Sequence, residues 1–132
     1  MPDNLQSFAT RYAEAWSSQH AYKVAAFFAE NASLKINSNP PSVGRAAITQ
    51  AAQGFMTEFP DLRVSNDGIH KQGDRVIFNW TLTGHNTGMG GTGRFVKISG
   101  YEDWMLGADG LVAESLGHYD AADYDRQLSG GK

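Results

Sequence analysis

Val96-Lys97-Ile98-Ser99-Gly100-Tyr101-Glu102-Asp103-Trp104-Met105-Leu106 is the stretch from which the fold is read. Its side chains alternate with period two, so Val96, Ile98, Glu102, Trp104 and Leu106 share one face of a long strand. An acid therefore stands in an apolar row. Ionising a carboxyl there is costly unless it is paired, so the pKa of Glu102 is expected to rise and the group to hold a proton near neutral pH. A carboxyl in that state is a general acid or hydrogen-bond donor.

Period two continues on both sides of this strand. Strands are expected at about Leu62 to Lys71, Arg75 to Gly84, Arg94 to Leu106 and Leu111 to Tyr119. Gln72-Gly73-Asp74 and Gly107-Ala108-Asp109-Gly110 are short enough for hairpin turns, which pairs consecutive strands antiparallel in one curved sheet. The first half has helical spacing instead. Leu5, Phe8, Tyr12, Ala15 and Trp16 form one apolar stripe, Tyr22 to Ala29 carries Val24, Phe27 and Phe28, and Ala46 to Phe59 repeats Ile48, Ala51, Ala52, Phe55 and Phe59 until Pro60 stops it. Between the last two helices, Ala32 to Ile36 alternates like a short strand and Asn37 to Ser42 has turn chemistry. Helices in one block and strands in another predict an α+β fold, with three N-terminal helices packed on a strongly curved, mostly antiparallel sheet.

A chain of 132 residues fits one domain, placed at 1–128, with Ser129-Gly130-Gly131-Lys132 as a disordered tail. The formal charge of −3 comes from 11 basic and 14 acidic side chains without a basic run, which gives phosphate backbones nothing to hold, so no nucleic-acid partner is expected. No stretch approaches the roughly 18–20 apolar residues of a membrane span, and Met1-Pro2-Asp3-Asn4 lacks the basic-then-apolar pattern of a secretory signal. The expectation is a soluble cytoplasmic protein without a membrane partner. Zero cysteines exclude disulfides, thiolate metal sites and cysteine nucleophiles, and no Gly-x-Ser-x-Gly elbow offers a serine nucleophile.

Strand alternation makes Phe78, Trp80 and Leu82 one inner row. In the last hairpin, a loop of two or four residues makes paired numbers sum to an odd value and joins the face of Glu102 to Ala113, Ser115, Gly117 and Tyr119. A three-residue bulged loop would instead bring Leu116, His118 and Asp120 beside it. The odd sum is preferred because it sets Lys97 near Asp120 and groups Asp103, Glu114 and His118 on the opposite face. Small residues Gly100, Ser115 and Gly117 then leave room around Glu102, with Tyr12 and the aromatic rings of Trp80, Trp104 and Tyr119 nearby. Phe28, Phe55, Phe59, Phe78 and Leu82 complete the expected apolar wall. An apolar cavity with few polar anchors is the usual character of a small-molecule site, so the expected partner is a small hydrophobic compound.

The order of elements, together with Phe27-Phe28-Ala29-Glu30-Asn31-Ala32, Gly44-Arg45-Ala46-Ala47-Ile48, Asp109-Gly110-Leu111-Val112-Ala113-Glu114 and Arg126-Gln127-Leu128, resembles the SnoaL-like polyketide cyclases. These belong to the nuclear-transport-factor-2-like superfamily with ketosteroid isomerase. The resemblance implies a conical α+β barrel enclosing a pocket, usually as a dimer, here through the outer sheet face. Arg11-Tyr12 matches the isomerase's Arg-Tyr pair and Glu102 its protonated acid, which implies two oxyanion donors. Its catalytic base belongs near Ile36 and Asn37, where no carboxylate stands. The cyclase aspartate falls on Gly117 and a family histidine on Ser115, so that base is missing too.

The leading functional expectation is a cofactor-independent isomerase, cyclase or lyase acting on a hydrophobic carbonyl compound, with Glu102 and Tyr12 stabilising the oxyanion. The sequence identifies no proton acceptor, a role left to Asp120, His118 or water, and the first two become an acid/base couple if the hairpin register is the other one. The alternative is a non-catalytic carrier or sensor on the same fold. A third reading is an interaction module using Tyr101, Met105 and Leu116 on the outer face. No metal is expected, since one His and one Asp at strand spacing are too few ligands. The glycine-rich run Gly84 to Gly93 joins strand to strand without a helix N-terminus or a Gly-Lys-Ser/Thr ending, so it is read as a flexible pocket-rim loop.

Overall fold

The computed structural model describes residues 2–88 and 90–129. The apolar stripe of the first segment forms α1 (Pro2–Trp16), with Ala9, Tyr12, Ala13, Ala15 and Trp16 all buried. It is followed by α2 (Ala21–Ala25), β1 (Phe28–Ile36), the short β2 (Ser42–Val43) and α3 (Arg45–Glu58). Four long strands complete the sheet, β3 (Arg63–Gln72), β4 (Arg75–His85), β5 (Phe95–Leu106) and β6 (Val112–Tyr119), and α4 (Ala121–Leu128) ends the fold.

The sheet order is β2-β1-β6-β5-β4-β3. Neighbours pair antiparallel except β1 with β6, which run parallel. The sheet is therefore mixed, strongly curved and open at both edges rather than a closed barrel. Its bending has local causes, because the register shifts in β3 between Asn66 and Gly68 and again where β5 meets β6 beside Met105, and an extra residue in one strand sharpens the twist. The core lies between the concave face and the helices. No helix among the described residues is long and apolar enough to cross a membrane.

Several sequence expectations need correction. The second helix stops at Ala25, and Phe28 opens β1 instead of lying on a helix, because Val112 N donates to Phe27 O at 3.0 Å and pairs this segment with β6. A fourth helix follows the last strand. Of the tail expected at 129–132, Ser129 caps α4 and 130–132 lie outside the described residues. Within the glycine-rich run, Asn86 is buried, accepts from Thr92 N at 2.7 Å and donates to Glu58 O at 3.4 Å.

A buried carboxyl beside an apolar cavity

The last hairpin has the odd-sum register. Gly100, Glu102 and Trp104 face Tyr119, Gly117 and Ser115 across the ladder, and on the other side Phe78 stands opposite Glu102. Glu102 is thus flanked by an aromatic ring and by a residue without a side chain. Gly117 has no contact under 3.5 Å awaiting a Cβ, whereas a Cβ on Gly100 would meet His118 O at 2.2 Å and Trp80 Cζ2 at 2.7 Å. Gly100 is the seat of the Trp80 indole, and a methyl at Gly117 would fit at ordinary contact distance beside Glu102.

Three donors converge on the carboxyl. Trp104 Nε1 and Ser115 Oγ each donate to Oε1 at 2.8 Å, and Tyr12 Oη lies 3.0 Å from Oε1 and 3.2 Å from Oε2. Oε1 is saturated, while Oε2 shares one phenol and keeps spare capacity. All three donors are neutral, and among the described residues no cation joins them. Burial consequently dominates and raises the pKa of Glu102 above its usual value, against the three hydrogen bonds that favour its ionised form. Burial and the neighbouring carboxylate likewise hold Tyr12 well above the usual phenol value. The Trp16 indole N–H opposes that shift, close enough to feel the Tyr12 oxygen though it makes no hydrogen bond.

The carboxyl borders a narrow, open-mouthed cavity of about 50 Å³. Its wall is Trp16, Leu34, Ile36, Phe55, Val64, Trp80, Leu82, Ile98, Glu102, Gly117, His118 and Tyr119. Of the residues expected from the sequence, Phe55, Trp80, Leu82, Glu102, Gly117 and Tyr119 thus line it. Phe28, Phe59, Phe78, Trp104, Ser115 and Tyr12 stand behind this wall, fully buried. Tyr12 is therefore not a second cavity donor: its hydroxyl is spent on Glu102, because α1 packs the ring among Phe27, Phe78 and Trp104 at centroid distances of 5.6, 5.6 and 5.2 Å.

His118 and Asp120 do not reach Glu102. His118 borders the cavity by its place in β6, but its ring lies on the outer face, 4.9 Å from that of Tyr101. Asp120 caps α4 by accepting from Asp123 N at 3.1 Å, and Lys97 pairs through its main chain with Gln127 instead of with Asp120. On the outer face Arg75 gathers Asp103 at 2.7 Å and Glu114 at 2.9 Å, and His118 shares that face as expected, packed on Tyr101. Among the described residues no three His, Cys, Asp or Glu side chains cluster as a metal ion would need. Sequence reading missed Trp16 in the wall, although it stands one turn beyond Tyr12 on the same helix face. It also missed the donor roles of Trp104 and Ser115, which only the register reveals.

A family model described as SnoaL-like polyketide cyclase matches residues 6–128. Among solved structures, a protein with a ketosteroid isomerase-like fold from Catenulispora acidiphila, in complex with trimethylamine, is 15% identical with a TM-score of 0.81, covering 92% of each chain. An NTF2-like protein of unknown function from Burkholderia pseudomallei is 17% identical with a TM-score of 0.80, covering 98% of this chain and 99% of its own. TerC, co-crystallised with polyporic acid, is 13% identical with a TM-score of 0.76, covering 96% and 98%. At these identities the likeness is one of fold. No curated protein matches the sequence.

Proposed function

Because the chain belongs to the SnoaL-like polyketide cyclase family, we propose that it binds a small hydrophobic carbonyl compound in the cavity and polarises that carbonyl with a proton held on Glu102 Oε2. The observation that carries this reading is the asymmetry of the carboxyl, one oxygen tied by three donors and the other left with spare capacity beside an apolar void. Tyr12, Trp104 and Ser115 orient the acid. A carbonyl oxygen accepting from Oε2 becomes more electron-withdrawing, the adjacent C–H loses its proton more readily, and the enol so formed serves isomerisation, cyclisation or elimination without a cofactor. With His118 turned outward and Asp120 capping a helix, the acceptor for that proton is water at the open mouth, and turnover is slow.

The same absence of a second base inside the wall favours a second reading, a carrier or sensor that uses Glu102 only to hold its ligand. The two separate on one measurement. Exchange of the α-protons of 1-tetralone in deuterated buffer, followed by proton NMR, should exceed the buffer rate with the wild-type protein and fall to it with Glu102→Gln, which keeps a donor but cannot give up a proton. Binding without any exchange would leave the carrier. The outer sheet face, with Tyr101 and Met105 exposed, is the surface through which two copies would pair in a homodimer.

A further inference from the structure

Tyr119 is a hydroxyl-bearing residue of the cavity wall, and the fold fixes its position. Its main-chain N–H donates to Asn37 Oδ1 at 3.0 Å, and Asn37 N donates to Gly117 O at 2.8 Å, so one side chain holding a φ of 52° braces the end of β6. Its ring packs edge-on against Trp80 and Tyr124 at centroid distances of 6.2 and 5.5 Å. The ladder sets Tyr119 opposite Gly100, two residues from the Glu102–Gly117 pair on the same face. Its hydroxyl has no hydrogen-bond partner among the described residues. Next to it, Trp80 Nε1 is buried and also unpartnered, and a buried donor without an acceptor in the protein calls for an explanation.

We propose that Tyr119 is a specificity-determining donor that takes a second oxygen of the ligand, so that the cavity selects neutral molecules carrying two oxygen acceptors across a flat apolar body. This rests on the reading of the cavity as the ligand site, but not on proton transfer by Glu102. The phenol remains a donor, because burial and then the acids Asp125 and Glu58 hold its pKa above the usual value. The same two acids, with neither Lys nor Arg in the wall, disfavour an anionic ligand. Narrowness favours a flat body over a bulky one.

Titration calorimetry with 1,4-naphthoquinone, 1-tetralone and 1-naphthoate tests this on the wild-type chain and on Tyr119→Phe. The chain lacks cysteine, so the quinone meets no thiol. The quinone should bind about tenfold more tightly than the tetralone to wild type, the worth of one added hydrogen bond. Tyr119→Phe should reduce that ratio to about one, with tetralone affinity changed less than twofold. Removing a hydroxyl that no protein group uses should also leave the melting temperature unchanged. A ratio that survives the substitution, a lowered melting temperature, or 1-naphthoate binding as well as 1-tetralone would overturn the proposal. If no compound binds wild type, the cavity reading fails with it; if tetralone binds and the ratio alone is wrong, only the role of Tyr119 is lost.

Discussion

Glu102 concentrates the chemistry of the molecule because three neutral donors cannot offset what burial does to a carboxylate. Its pKa lies above the ordinary 4.5, so the protonated form is the one the fold prefers. The linkage sign follows. The stability contributed by Glu102 is full below pH 4.5 and is lost as pH rises through the folded value, since the unfolded chain ionises first. Glu102→Gln, neutral throughout, should therefore match wild type most poorly at pH 4 and gain relative to it toward pH 8. Melting curves across that range check this, and a difference independent of pH would show that the carboxyl is not raised. Tyr12→Phe removes one donor and should cost about 1 kcal/mol, roughly 4 °C in melting temperature, while pushing the Glu102 pKa higher still. The acid itself was legible as a charge in an apolar row. The hydroxyl of Tyr12 was not, because helix spacing shows that its ring is buried but not which atom the hydroxyl meets.

At the scale of elements, β5 and β6 owe the cavity to two glycines that do different work. Gly100→Ala forces a Cβ into the His118 carbonyl and the Trp80 ring, and should cost about 1–3 kcal/mol with displacement of the indole. Gly117→Ala meets nothing closer than 3.5 Å, so it should leave stability nearly unchanged and weaken ligand binding by filling the void beside Glu102. Denaturant unfolding paired with calorimetry separates them, and equal stability losses would contradict the distinction. The strands β4 and β5 were readable because each keeps period two along its whole length, and α1 and α3 because each carries a buried stripe, whereas the period of β3 breaks at its bulge between Asn66 and Gly68. By contrast, α4 is only eight residues long, with three charged side chains and no fully buried residue, so its stripe of Ala121, Tyr124 and Leu128 is short and easily passed over. Phe27 and Phe28 satisfied helical spacing by chance of position, and pairing with β6 decided otherwise, a long-range choice that a local pattern does not contain.

For the whole molecule, curvature separates two faces with different duties. The concave face is covered by helices around the cavity, while the outer face carries Tyr101, Met105 and Phe95, which remain 40%, 42% and 53% exposed, around the Arg75–Asp103–Glu114 group. Strand alternation guarantees that a change on the outer side leaves the inward row in place. An apolar strip on a sheet is a poor surface to leave in water, and a second copy related by two-fold symmetry would cover the same strip on both partners. Light scattering on the wild-type chain should thus return twice the 14.3 kDa of one copy, and the double substitution Tyr101→Glu with Met105→Glu should return the single mass. The charged pair should do so with 1-tetralone affinity within twofold of wild type, because neither residue reaches the cavity wall. A wild-type chain that is monomeric at micromolar concentration would remove the second copy from the picture and leave the strip to a partner of another kind.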